Sequence, residues 1–194
     1  MSEDIELLGF QIEKGLIPTT WLKVSYPTCK PLGPYVDDLV NRLKYIKGCC
    51  SEGVGRHVWL GGLFQPQALL VSALGDHSRV THTPVHLLSW DHCMEPPSPG
   101  DSGLLVSGLL IHGARWNSAL SILEDQPPRE FISKMPEIWF KPILKSERKE
   151  ESRHRYSCPL YETADRANYV AHVLIPSQHS PAHWIYRGVV LLCQ

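Results

Sequence analysis

Residues 97–116, PSPGDSGLLVSGLLIHGARW, decide how the second half of this chain folds. Pro97, Pro99 and Gly100 bend the backbone, and Asp101 and Ser102 favour local side-chain-to-backbone hydrogen bonds. The apolar run LLVSGLLIH, residues 104–112, then has the length and composition of a strand. Read this way, the stretch is a turn that feeds a strand of an antiparallel sheet.

The tetrapeptide Gly100-Asp101-Ser102-Gly103 offers a rival reading, because the same four letters surround the nucleophile of trypsin-like serine proteases. A serine nucleophile needs a histidine base, an orienting carboxylate and an oxyanion hole. In those proteases the base and carboxylate come from a first barrel that precedes the serine. Here the region before Ser102 contains helices and leaves no room for that barrel, and Leu104 stands where a glycine usually follows. A serine hydrolase acting through Ser102 is the lesser alternative.

Working outward, the upstream part has helical texture. Residues 3–14, EDIELLGFQIEK, place Ile5, Leu8 and Ile12 on one face, with Gly15 as a stop. Residues 34–47, PYVDDLVNRLKYIK, do the same with Val36, Leu39, Val40, Leu43 and Ile46. Pro34 suits the first helical position, Asp37 and Asp38 the N-terminal dipole, Lys44 and Lys47 the C-terminal one, and Gly48 the cap. From His57 onward the pattern changes to short apolar runs: HVWLGGLF, PVHLLSWD, LLVSGLLIH, PEIWFKPIL, RYSCPLYE, NYVAHVLI and GVVLLC. This spacing predicts an antiparallel sandwich or barrel. Residues 66–74, PQALLVSAL, are the exception, a helix opened by Pro66 with Leu69, Leu70, Ala73 and Leu74 inward. The charged run 145–155 reads as an exposed loop. Near the C-terminus, Pro181 opens one helical turn with Trp184 and Ile185 inward, and VVLLC closes as a buried strand.

Composition excludes several classes. With 194 residues, 43% hydrophobic and 20% charged, the sequence is long enough for one sizeable core. Nineteen Lys and Arg against 20 Asp and Glu leave a net charge of −1, so no basic field recruits nucleic acid or an acidic membrane. There is no apolar run of bilayer length and no signal-peptide pattern in MSEDIELLGF, which predicts an intracellular protein. The six cysteines, Cys29, Cys49, Cys50, Cys93, Cys158 and Cys193, form no CxxC pair and read as reduced thiols.

Histidines cluster at His77, His82, His86 and His92, with Cys93 beside the last. His82 and His86 would share a helix face, but Pro84 opposes that helix, and on a strand they stand roughly 13 Å apart. Partly buried or surface histidine is the preferred reading, and no metal ligand is assigned. No GxxxxGK[ST] loop is present, and GVGR at 53–56 is too short to replace it. The tryptophans Trp21, Trp59, Trp90, Trp116, Trp139 and Trp184 read as core anchors. No catalytic or cofactor-binding residue is assigned, and no cofactor is expected.

Six motifs in order then carry a resemblance: SYPTCKPLGPYVDDLVNRLKYI, WLGGLFQPQALL, VSGLLIHGARWN, MPEIWFKP, YSCPLYET and PAHWIYRGVVLLCQ. From about Ile17 to Gln194 the sequence resembles the C-terminal domain of dynein heavy chains, especially axonemal ones. That resemblance implies an α+β fold, with a helical segment (residues 1–50) packed on an antiparallel, incomplete β-barrel (residues 51–194). It implies a non-catalytic module that follows the sixth AAA+ unit, lies on one face of the motor ring and modulates its output. The implied partners are that ring in cis or other dynein subunits, and microtubules indirectly. The implied location is the cytoplasm and cytoskeleton, at the axoneme of a cilium or flagellum. Three departures mark a divergent member: ADRA at 164–167 replaces a longer loop, GDHSRVTHTP at 75–84 breaks a more regular helix, and the family's first helices are mostly absent. The protein thus looks like the C-terminal piece or a short isoform of something longer, with a freestanding adaptor as the alternative.

Overall fold

A computed structural model describes residues 3–147 and 155–193. Most of the charged run expected as a loop, residues 148–154, lies outside the described residues. The protein forms two compact units, Met1–Gly53 and Val54–Gln194.

The first unit is helical: α1 (Glu3–Glu13), a single turn α2 (Thr19–Leu22) and the long α3 (Leu32–Glu52). Helix α3 is longer than its sequence pattern predicts at both ends. Pro31 is its N-cap, so Pro34 falls in the first turn, where no intrahelical partner awaits its missing N–H. Gly48 does not cap the helix. Propagation through one glycine costs only about 1 kcal/mol, and the stop comes at Gly53, whose φ is +83°.

The burial of α3 also departs from the expected face. Val36, Val40 and Leu43 are exposed, and the buried residues are Tyr35, Asp38 and Arg42. The exposed stripe lies about 100° further round the helix than the buried one. The reason is a polar anchor supplied by the preceding segment. The Tyr26 and Tyr35 rings stack with centroids 5.6 Å apart, and the Tyr26 hydroxyl donates to Asp38 Oδ2 at 2.6 Å. Lys30 Nζ reaches Asp38 Oδ1 at 2.7 Å, and Arg42 Nε reaches Oδ2 at 2.7 Å while its guanidinium lies 4.0 Å from the Tyr26 ring centre. Asp38 is therefore an interior anion rather than a dipole residue facing water. Burial alone would raise its pKa, but the hydrogen bonds from Lys30, Tyr26 and Arg42 hold it below the ordinary carboxylate range.

The second unit opens with β1 (His57–Trp59), one 3-10 turn at Leu60–Gly62 and α4 (Pro66–Thr81). The strands that follow are β2 (Leu88–Cys93), β3 (Leu104–Ser107), β4 (Leu110–His112), β5 (Arg115–Asn117), β6 (Ile122–Glu124), β7 (Ile132–Lys134), β8 (Ile138–Leu144), β9 (Arg155–Tyr161) and β10 (Tyr169–Pro176). The unit ends with α5 (Pro181–Tyr186) and β11 (Val190–Leu192). One sheet has the order β1-β3-β8-β2, a second β10-β9-β11-β4-β7, and β5 pairs with β6 alone. These strand pairings are antiparallel except β1 with β3 and β11 with β9. The fold is α+β, with antiparallel sheets that do not close into a barrel.

The run LLVSGLLIH is two strands in different sheets. Gly108 makes the corner at φ +78°, and an added Cβ there would lie 2.6 Å from the Trp59 ring, so the backbone passes between the sheets only without a side group at this position. Helix α4 continues past residue 74 through GDHSRVT and ends at His82, which adopts a left-handed conformation two residues before Pro84. In the core, Val58, Leu60, Ile111, Phe140, Leu160, Trp184 and Leu191 are almost completely buried. Strand β11 runs through the middle of the five-stranded sheet, and all three of its residues are buried. In α5, Trp184 is buried as expected, but its neighbour Ile185 is exposed. One turn of helix can direct only one of two adjacent side groups inward. The six cysteines are thiols rather than disulfides, and no helix among the described residues is long and apolar enough to cross a membrane.

Candidate functional site

The Gly-Asp-Ser-Gly turn is built as a turn. Asp101 Oδ2 accepts the Ser98 N–H at 2.9 Å, and the Ser98 carbonyl accepts the Asp101 N–H at 3.1 Å. Gly103 has φ +124°, and an added Cβ would sit 2.3 Å from the Phe140 carbonyl oxygen. The Ser102 carbonyl accepts the Trp139 indole N–H at 3.2 Å. These bonds fix the entry of β3 against β8 and give the tetrapeptide a structural role. Ser102 does border a cleft of about 340 Å³ that also contains Asp76 and His77. Among the described residues, however, no hydrogen bond links Ser102 to His77, and Asp76 is paired with Arg79.

The structure disperses the predicted histidine cluster. His77 lies on α4, His82 is its cap, and His86 sits in a 3-10 turn at Val85–Leu87. His92 is buried on β2, where its Nδ1 accepts the Leu174 N–H at 3.2 Å and its ring meets Phe140 edge-on. Cys93 is half-buried, and burial, with Asp91 nearby, pushes its thiol up. Burial also raises the Cys158 thiol and the Tyr156 hydroxyl, the latter donating to the Val189 carbonyl at 2.8 Å. These groups stay protonated and serve the core.

Of the tryptophans, Trp116, Trp139 and Trp184 are buried, Trp59 and Trp90 are half-buried, and Trp21 is exposed. Trp21 is one of several apolar side chains that the helical unit exposes. There, Val36, Val40 and Leu43 follow one another at i, i+4 and i+7 along α3, and Ile5, Leu7 and Phe10 are exposed on α1. Exposed apolar stripes of this kind mark surfaces of interaction.

A different set of polar residues does converge. His179 and His183 flank the start of α5, and Asp125 follows β6. Their ligand-capable atoms all lie within 4.8 Å of one another, the one such group among the described residues. The sequence alone conceals this set because Asp125 is remote from both histidines, although the His179-to-His183 spacing of four residues is a signal open to view.

The protein thus combines a helical unit that exposes apolar side chains with an α+β unit of antiparallel sheets that do not close into a barrel. The family model for the C-terminal domain of dynein heavy chains matches residues 1–193, beginning at the N-terminus rather than near Ile17. Dynein axonemal heavy chain 12 of Homo sapiens is 35% identical over 100% of this sequence and 7% of its own length. Dynein axonemal heavy chain 1 of Mus musculus is 32% identical over 100% of this sequence and 5% of its own. The dynein-1-beta heavy chain of the flagellar inner arm I1 complex of Chlamydomonas reinhardtii is 31% identical over 99% of this sequence and 4% of its own. The protein belongs to this family of C-terminal domains of dynein heavy chains.

Proposed function

We propose that the protein is a non-catalytic docking and regulatory module for a dynein motor, working in cis or in trans on the AAA+ ring of a heavy chain in the axoneme of a cilium or flagellum. The observation that carries the reading is the exposed stripe of Val36, Val40 and Leu43 on a helix of a protein matching only the C-terminal domain of its relatives. The sequence spans about 7% or less of the curated relatives it matches, so the rest of a heavy chain is the natural cover for that stripe. Microtubules enter only through the ring. The module contributes contact area and leaves nucleotide chemistry to the ring.

The test uses an axonemal dynein heavy chain ring that ends before its own C-terminal domain, with the full 194-residue protein added in trans. Binding and a change in ATP turnover are expected, and both should be lost in Val36→Asp/Val40→Asp/Leu43→Asp, whose exposed positions leave the far-UV spectrum unchanged. The protein alone should show neither ATP turnover nor fluorophosphonate labelling of Ser102. Equal binding by the triple variant would overturn the reading, as would labelling that Ser102→Ala abolishes.

A further inference from the structure

We propose that Asp125, His179 and His183 form a binding site for one first-row transition-metal dication of the zinc class. Two imidazoles and a carboxylate are a donor set suited to such an ion, and the three ligand atoms already lie within 4.8 Å of one another. Around a tetrahedral zinc with bonds of about 2.0–2.1 Å, neighbouring ligand atoms stand about 3.3 Å apart. His183 Nε2 and Asp125 Oδ1, at 2.8 Å, need only open slightly to admit the ion, and the remaining separations need only side-chain rotation. Asp125 and His179 are exposed and His183 half-buried, so that rotation disturbs no core packing and water can occupy the fourth position.

The backbone around the site is already held. The Trp184 indole N–H donates to Ser177 Oγ at 2.6 Å, and Ser177 Oγ donates to the His179 carbonyl at 3.0 Å while accepting the His179 N–H at 3.1 Å. The two imidazoles stack with centroids 4.3 Å apart, and each meets the buried Trp184 ring at a steep angle. Two of the three ligands are thus carried by a segment whose position the core dictates. The His183 imidazole is hydrogen-bonded to Asp125 Oδ1, and the Arg187 guanidinium stands 3.5 Å from Oδ2. The bound ion would replace the His183–Asp125 hydrogen bond and tie the β5–β6 hairpin to α5, immediately before the closing strand β11. Coordination through Nε2 requires that atom to give up its proton, which moves to Nδ1 or to solvent.

The test titrates the full protein, in a Cys49→Ser/Cys50→Ser background that removes the adjacent thiols, with Zn²⁺ by calorimetry and with Co²⁺ by visible absorption. One equivalent should bind, Co²⁺ should give d–d bands of tetrahedral or five-coordinate intensity, and Zn²⁺ at a hundredfold excess over Kd should raise Tm by about 5–10 °C. His179→Ala, His183→Ala and Asp125→Asn should each weaken binding at least about tenfold. All three are surface changes, and an unaltered far-UV spectrum checks their folding. Absence of binding by the unsubstituted site, or equal affinity in all three variants, would overturn the proposal.

Discussion

Leu191 is the residue whose loss should cost the sheet unit most. It is completely buried in β11, paired antiparallel with Ile111 of β4 on one side and parallel with Leu160 of β9 on the other. Replacing a buried leucine by alanine removes transfer energy and leaves a cavity, together costing about 2–5 kcal/mol. Both flanking strands restrict collapse around the gap, so Leu191→Ala belongs in the upper half of that range. Removing residues 189–194 goes further. The four aliphatic residues Val189, Val190, Leu191 and Leu192 are all buried, and at about 1.5–3 kcal/mol each they contribute about 6–12 kcal/mol. The deletion also takes away the acceptor of the Tyr156 hydroxyl and the Cys193 N–H bond to the Tyr161 carbonyl. A domain of this size has about 5–15 kcal/mol of stability in all, so a protein ending at Gly188 should not hold the five-stranded sheet. Equilibrium unfolding in urea, followed by the fluorescence of the buried tryptophans, measures both. A Leu191→Ala loss below about 1 kcal/mol would refute the placement of β11, as would a protein ending at Gly188 that stays monomeric and unfolds cooperatively.

Asp38→Asn leaves the buried Arg42 guanidinium without its carboxylate, a loss of about 3–5 kcal/mol that a marginal helical unit cannot absorb, so the far-UV helicity of the 194-residue protein should fall by the share of α1 and α3; an unchanged far-UV spectrum would contradict the anchor. The pH dependence has a definite sign. Since the folded-state pKa of Asp38 is depressed, its contribution is present above the unfolded-state value of about 3.9 and disappears as pH falls through the lower folded-state value. An acid titration of stability should therefore be steeper below about pH 4 for the native protein than for Asp38→Asn.

The strands with enough length to show a pattern were legible in the sequence. The runs that became β8, β9 and β10 announce themselves by apolar density between Pro, Gly or Asn, and the three-residue β11 is legible only because it sits inside the unbroken apolar run VVLLC. Strands β5, β6 and β7 are three residues each, and RWN, ILE and ISK carry too few positions for any period to emerge. On α3 the periodicity was real, but a repeat reveals only that a face is apolar, not what covers it. Here a tyrosine pair and an ion network, brought together by the irregular segment 25–30, took the interior position, and the aliphatic stripe stayed outside. The protease reading of the Gly-Asp-Ser-Gly turn depends on partners at long range, and the sequence before Ser102 offers no scaffold for them. By the same logic Asp125 was invisible as a partner of His179 and His183, since only the β5–β6 hairpin brings it there.

The same contrast sets a boundary that can be cut. Among the described residues, the buried apolar ones within 1–53 are Pro18, Tyr26 and Tyr35, joined by the buried ions Asp38 and Arg42. The rest, including the whole contiguous core, belong to Val54 and beyond. A segment of about fifty residues is marginal even with a good apolar core, and this one leaves Ile5, Leu7, Phe10, Val36, Val40 and Leu43 in water. Residues 54–194 alone should therefore unfold in a single cooperative transition. Residues 1–53 alone should show far-UV helicity well below that of a segment helical over α1 and α3, rising only when an apolar partner covers the stripe. A dynein ring supplied in excess is the partner to try first. If the isolated 1–53 segment is fully helical and melts cooperatively on its own, the two tyrosines and their ion network suffice as a core. The exposed stripe would then need another explanation than a missing cover.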